Sequence, residues 1–319
     1  MDNDLEPIEP SKALELYLAD RKNNVSKATI QSHRSRLKFF VTWLDKHGLD
    51  NLNDLTGRKV KEYQLERREE RGWAAVTEKT QLDTIRVFVR WCEGIEAVTP
   101  DLSERIQSPD LDENQNVRTE ELETKHAEKV LDHLRKYKYC SLAHVTLELI
   151  WHTMSRRGAV RSLDVRDFDS DDRSLRFEHR PETGTPLKKG KNSNRHVAIT
   201  ESIADLLDDW VGWRRPNVVD EYGREPLLAS KQGRIHQSTV MAYAYAWTRP
   251  CVYGQCPIGR DEETCLATKW DKSSTCPESV SPHPIRRGAI THHLRSDVPD
   301  PVVSDRADVS EKVIDKHYD

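Results

Sequence analysis

The chain has 319 residues, 36% of them apolar and 33% charged, with 50 basic against 54 acidic side chains and a net charge of −4. That length supports about two domains, each with its own core, and no apolar run approaches the roughly 20 residues that span a bilayer. The N-terminal "MDNDLEPIEP" is acidic where a secretory signal would be basic and then apolar, so the expected location is the cytoplasm, and six cysteines in that setting do not point to a disulfide scaffold.

Residues 1–98 read as a helical domain. A first helix is centred on Leu14–Leu18. Ser26 is placed to cap a second, in which Ile30, Leu37, Phe40, Val41 and Leu44 form one stripe that Gly48 closes. "RKVKEYQLERREERG" gives a third helix, and "VTEKTQLDTIRVFVRWCEGI" a fourth, with Leu82, Ile85, Val89 and Trp91 turned inward. Residues 99–119 lose this periodicity, are rich in Pro, Asp, Asn and Ser, and read as an interdomain linker. Beyond it, helices are expected over 120–138 and 140–163. A strand hairpin follows over 173–200, where "SLRFEH" and "RHVAIT" flank a Gly/Pro/Lys-rich turn. Helices over 201–213 and 238–248 come next, then a Cys-rich insert at 251–276, and helices again from His283 to the end. Val309, Val313 and Ile314 make the C-terminus a folded segment carrying Tyr318.

The net charge hides local basic patches. Residues 27–38 carry Lys27, Arg34, Arg36 and Lys38 with no acid, and residues 180–195 carry five basic side chains against Glu182. Charge alone nominates Lys27, Arg34 and Lys38 for contacts to a nucleic-acid backbone; an ordinary solvated helix face is the alternative. Three further segments stand out. "SPHPIRRGAITHHL" sets His283 and Arg286 three residues apart, on one helix face. "WHTMSRRGAVRSLDVRDFD" puts Arg156 at the end of an apolar helix, and "TPLKKGKNSNRHVAI" supplies a lysine-rich turn. Each alone is also what a solvated helix end or turn looks like.

Their order and spacing over nearly the whole chain resemble the tyrosine recombinase, or phage integrase, family of Xer-like proteins. The family pattern T-G-x-R-x-x-E-x-x-x-L-x-x-x-D falls on Thr153, Arg156, Leu163 and Asp167; its H-x-x-R box falls on His283, Arg286, Thr291 and His292; Tyr318 stands where the family has its nucleophile. The acidic composition is similar to that of the haloarchaeal branch. The resemblance implies a mainly α fold with a small β-sheet, in which an N-terminal helical core-binding (SAM-like) domain precedes a mixed α/β catalytic domain (120–319) of the DNA breaking–rejoining fold. It implies a cytoplasmic, nucleoid-associated enzyme that clamps double-stranded DNA, a homotetramer on DNA and a monomer or dimer when free, with no cofactor required for catalysis. Two other readings are a DNA-binding regulator derived from such an enzyme and a type IB-like topoisomerase.

The roles that follow are chemically coherent. Two always-charged, planar guanidiniums, Arg156 and Arg286, suit the non-bridging phosphate oxygens. His283 shares the phosphate contact and helps remove the tyrosine proton, and Tyr318 attacks to form a 3′-phosphotyrosyl bond. A hairpin lysine protonates the leaving 5′ oxygen: Lys188 is preferred, Lys191 competes, and strand alternation would turn Lys189 away. Two positions depart from the pattern. Ala159 stands where the family has a glutamate that supports the first arginine, and Asp308 replaces a histidine or tryptophan. An ionised Asp308 would repel phosphate unless it holds Arg286 or His283. Separately, Cys251, Cys256, Cys265 and Cys276 follow C-x4-C-x8-C-x10-C. That set can close a structural zinc site, stay reduced or pair as disulfides.

Overall fold

A computed structural model describes residues 5–111 and 120–318. It divides into two compact units, Met1–Arg118 and Thr119–Asp319. No helix among the described residues is long and apolar enough to cross a membrane.

The first unit packs α1 (Pro10–Arg21), α2 (Lys27–Lys46), α3 (Gly57–Arg71) and α4 (Ala75–Glu93) around one core. The Ser26 hydroxyl accepts from the Thr29 amide at 3.1 Å and starts α2, satisfying one of the donors that a helix start leaves open. Leu37, Phe40 and Leu44 of α2 meet Tyr17, Tyr63, Leu82, Ile85 and Phe88, all fully buried. Trp91, expected inside, is half-buried: its indole N–H donates to Asp20 at 3.1 Å, and Phe88 takes the interior place. The expected linker begins later than position 99. Leu102 and Ile106 are buried in this core, and Arg86 donates to the Ile106 carbonyl at 2.6 and 2.8 Å. A short 3₁₀ turn, Ser103–Arg105, carries them, and that turn has no helical period to read. Residues 112–119 of the expected linker lie outside the described residues.

In the second unit, α5 (Thr124–Tyr137), α6 (Leu142–Thr153), α9 (Gln237–Trp247) and α10 (Pro282–Arg295) pack around the almost wholly buried α6. The helix expected over 140–163 is interrupted. Met154 adopts φ +51° and Arg156 is extended, so α6 stops and α7 (Arg157–Ser162) starts afresh. Beside the helices lies a three-stranded antiparallel sheet of β1 (Phe168–Asp169), β2 (Ser174–Phe177) and β3 (Arg195–Ala198), in that order. The expected hairpin is thus present, with Phe177 opposite Arg195 and Ser174 opposite Ala198. α8 (Glu201–Asp209), a two-stranded ribbon of β4 (Ala229–Ser230) and β5 (Gly233–Arg234), α11 (Asp300–Ala307) and α12 (Glu311–Tyr318) complete the unit.

The base of the hairpin is held by buried charge. Arg180 donates to Asp167 at 2.6 and 2.7 Å, Arg234 and Arg224 pair with Asp164, and all five side chains are buried. Burial pushes the Asp167 carboxyl up, but the Arg180 hydrogen bonds outweigh it and hold it below the usual range. Removing one partner of such a buried set leaves an uncompensated charge, so the turn beyond Arg180 is tied firmly at its root.

α10 is located by a contact only glycine allows. A Cβ on Gly288 would come within 1.9 Å of the Leu122 carbonyl oxygen, while the Leu122 amide donates to the Pro284 carbonyl at 3.0 Å. Gly288→Ala must push α10 off the segment before α5. It is expected to destabilise the protein by about 3 kcal/mol, as overpacking does, with a matching fall in the urea midpoint measured by circular dichroism.

Candidate active site

The break after α6 brings Arg156 and Arg286 together. Arg286, only 3% exposed, projects from α10, and its Nη1 donates to the Met154 carbonyl at 2.5 Å. The left-handed turn at Met154 leaves that carbonyl without a helical partner, and the arginine fills the vacancy. A third arginine, not assigned a role from the sequence, joins them. Arg195 on β3 donates to Ser155 Oγ at 2.7 Å, to the Ser193 carbonyl at 3.1 Å and to the Arg306 carbonyl at 2.9 Å, with its guanidinium 4.2 Å above the Phe177 ring. The signal for it was present, since a buried-face position on a strand next to a lysine-rich turn is an unusual place for arginine.

These side chains carry an electrostatic load. Burial, then the neighbouring Arg156 charge, pushes the Arg286 pKa down to about 9, and burial pushes that of Arg195 down to about 10. Both stay charged at neutral pH, at a cost that an anion would remove.

One carboxylate stands among them. Asp308, in the turn between α11 and α12, accepts from Arg156 Nη1 at 2.7 Å and from Ser193 Oγ at 2.9 Å, and pairs with Lys189 Nζ at 3.1 Å. Its backbone carbonyl also accepts from Arg156 Nη1 at 3.0 Å. Burial raises the Asp308 pKa, but these partners more than offset it and hold the group ionised. The sequence expectation that Asp308 would hold Arg286 or His283 is corrected: it holds Arg156. The lysines differ in their contacts, and Lys189 is not turned away as strand alternation would have it. Lys189 reaches this cluster, while Lys188 and Lys191 are exposed and make no ion pair among the described residues. Strand alternation fails here because β2 ends at Phe177, and the connection contains 3₁₀ turns at Pro181–Thr183 and Gly190–Ser193.

His283 lies in the first turn of α10, exposed, three residues before Arg286. Tyr318, half-buried, packs at the end of α12 against the core of the unit. Burial raises its pKa, and the charges of Arg286 and Arg287 pull it back, Arg287 also through a hydrogen bond. Arg287 is a second neighbour that the sequence did not single out. In the first unit, Lys27, Arg34 and Lys38 are exposed along one face of α2, and Lys27 and Arg34 line a groove of about 410 Å³ together with Lys22. Cys251, Cys256, Cys265 and Cys276 are free thiols that line a single cavity of about 20 Å³ with Arg249, Arg260 and Glu278. Among the described residues no three His, Cys, Asp or Glu side chains stand ready to hold a metal ion.

The family described as phage integrase, N-terminal SAM-like domain, matches residues 14–94. The Tn1549 transposon integrase in complex with transposon right end DNA superimposes with a TM-score of 0.67 at 14% identity, over 98% of this chain and 95% of that one. The lambda integrase tetramer bound to a Holliday junction gives 0.66 at 15%, over 99% and 79%. The chain thus carries a phage integrase SAM-like domain over residues 14–94 and, along nearly its whole length, the fold of these integrases. An N-terminal domain of a phage integrase/site-specific recombinase from Haloarcula marismortui is 31% identical over 33% of this chain and 99% of its own, with a TM-score of 0.32. No curated protein matches the chain. The recombinase fold therefore carries three buried or half-buried arginines, a paired lysine and a tyrosine in one unit. The charge load predicts a trade-off: Arg286→Met should stabilise the DNA-free protein by about 1 kcal/mol in urea denaturation, because a buried like charge is removed.

Proposed function

We propose that this protein is a site-specific DNA recombinase or integrase that cleaves and rejoins double-stranded DNA through Tyr318. The observation that carries the reading is the cluster of Arg156, Arg195 and the buried Arg286, the last of which neighbours that tyrosine. Arg286 and Arg195 are both shifted toward release of charge, so the cluster is suited to an anion with several oxygens. In the proposed step, the Tyr318 oxygen bonds to phosphorus as the bond from phosphorus to the 5′ oxygen breaks. The arginines hold the non-bridging oxygens, preorganised donors of this kind being worth roughly 3 kcal/mol each. His283 accepts the phenolic proton, and Lys189 gives its proton to the departing 5′ oxygen. The resulting 3′-phosphotyrosyl ester keeps the energy of the broken linkage, so attack by a 5′ hydroxyl reseals DNA without ATP.

The first unit would grip the duplex, with Lys27, Arg34 and Lys38 on the backbone, and the active form is proposed to be a homotetramer on DNA. Ala159 leaves room for a second reading, a DNA-binding regulator with a weakened site. The insert adds a separate element. Within 251–276, Ala267 is the one buried hydrophobic residue among those described, so the segment has little core to hold it, and zinc bound by its four thiols is proposed as the brace. Elemental analysis should then find close to one zinc per chain; less than about a tenth of an equivalent would exclude the brace.

The reading is tested with a random-sequence pool of nicked duplexes, from which denaturant-resistant protein–DNA adducts are selected. Wild type is expected to yield adducts and Tyr318→Phe none. Lys189→Ala should slow adduct formation by about 100-fold, as loss of a general acid does, and by more than Lys188→Ala or Lys191→Ala. An empty selection would favour the regulator, and relaxation of supercoiled DNA without sequence preference would favour a topoisomerase.

A further inference from the structure

Asp308 joins three segments that are distant in sequence. Its Oδ2 accepts from Arg156, in the break between α6 and α7, and from Ser193 in the hairpin connection, while its Oδ1 pairs with Lys189. Asp308 itself sits at φ +52° in the turn that launches α12, the helix bearing Tyr318. With its side chain 8% exposed, the carboxylate is committed to these donors and not to solvent. Arg156 uses Nη1 for it; among the described residues its Nε and Nη2 make no hydrogen bond. Ala159, one turn away, offers only a methyl group, so Asp308 is the one carboxylate paired with Arg156 among the described residues.

We propose that Asp308 is a positioning residue of the cleavage reaction: its carboxylate, held in place by Arg156 and Ser193, fixes where the Lys189 ammonium stands for its proton transfer. This rests on the reading of the chain as a DNA-cleaving enzyme. The physical case is one of entropy. Lys189 lies on an irregular turn and is 45% exposed, and a free lysine there would sample many rotamers, with an entropic cost to immobilise. A buried carboxylate already locked by Arg156 and Ser193 removes most of that search, because one end of the pair is fixed before the lysine arrives. The opposing possibility is that the carboxylate competes with phosphate for Arg156, and it makes the opposite prediction for a variant lacking the charge.

The test compares adduct formation by wild type, Asp308→Asn, Asp308→Ala and Lys189→Ala on two duplexes of a sequence recovered from the adduct selection. One has an ordinary scissile phosphodiester; in the other, sulfur replaces the bridging 5′ oxygen. A thiolate leaves without a proton, so the second duplex does not need the general acid. Asp308→Ala is expected to lose about 100-fold on the oxygen duplex and less than about fivefold on the sulfur duplex, the pattern of Lys189→Ala. Asp308→Asn, which tolerates the left-handed backbone and still accepts from Arg156 and Ser193, should fall between wild type and Asp308→Ala. Each variant is its own control across the two duplexes, so loss of folded protein cancels. Equal losses on both duplexes, or faster cleavage of the oxygen duplex, would overturn the positioning role while leaving the enzyme reading intact. A wild type that forms no adduct on either duplex would overturn both.

Discussion

Three guanidiniums stand close enough to repel one another, Arg286 buried, Arg195 partly buried and Arg156 about a third exposed, and this concentration of like charge is the constraint around which the second unit is arranged. Bringing Arg286 and Arg195 out of water beside Arg156 opposes folding. The structure offsets part of that cost with carbonyl and hydroxyl acceptors at Met154, Ser155, Ser193 and Arg306, and with one carboxylate, Asp308. The balance is left for a multivalent anion. On the proposed reading, that remaining electrostatic cost is what the oxygens of a phosphate would relieve.

Holding such a site open requires rigid support at a distance. The buried pairs of Asp164 and Asp167 with Arg180, Arg224 and Arg234 fix the root of the hairpin connection. Arg306 of α11 donates to the Ala198 carbonyl of β3 and the His152 carbonyl of α6, which ties the element before Tyr318 to both the sheet and the central helix. Gly288 lets α10 approach the segment before α5 closely enough to set Arg286 at the proper depth. Each of these contacts lies away from the arginine cluster, yet each determines where one of its members stands.

The helical layout of both units, the hairpin strands and the elements that carry Arg156, His283, Arg286 and Tyr318 were legible because they depend on local period. Leu37, Phe40 and Leu44 fall inside as their spacing requires, and Ser26 caps α2 as its chemistry requires. Leu102 and Ile106 were not legible as core, because a 3₁₀ turn gives no recurring stripe. Lys189 was missed for a related reason: a parity rule for strands was extended into a connection that is not strand.

The sequence by itself determined which kinds of group the protein possesses and roughly in what elements: two spaced arginines, a histidine one helical turn from the second, a lysine-rich turn and a tyrosine on an ordered end. Those features arise from short-range periodicity, which the backbone geometry translates directly into helix and strand. Only the tertiary structure decided which lysine comes to the arginines, that Arg195 joins them, and that Asp308 pairs with Arg156 across 152 positions of chain. Such pairings are settled by burial: once α6, α10 and β3 exclude water from one point, the charges there must find partners among whatever the folded chain delivers, and no local pattern records which those will be.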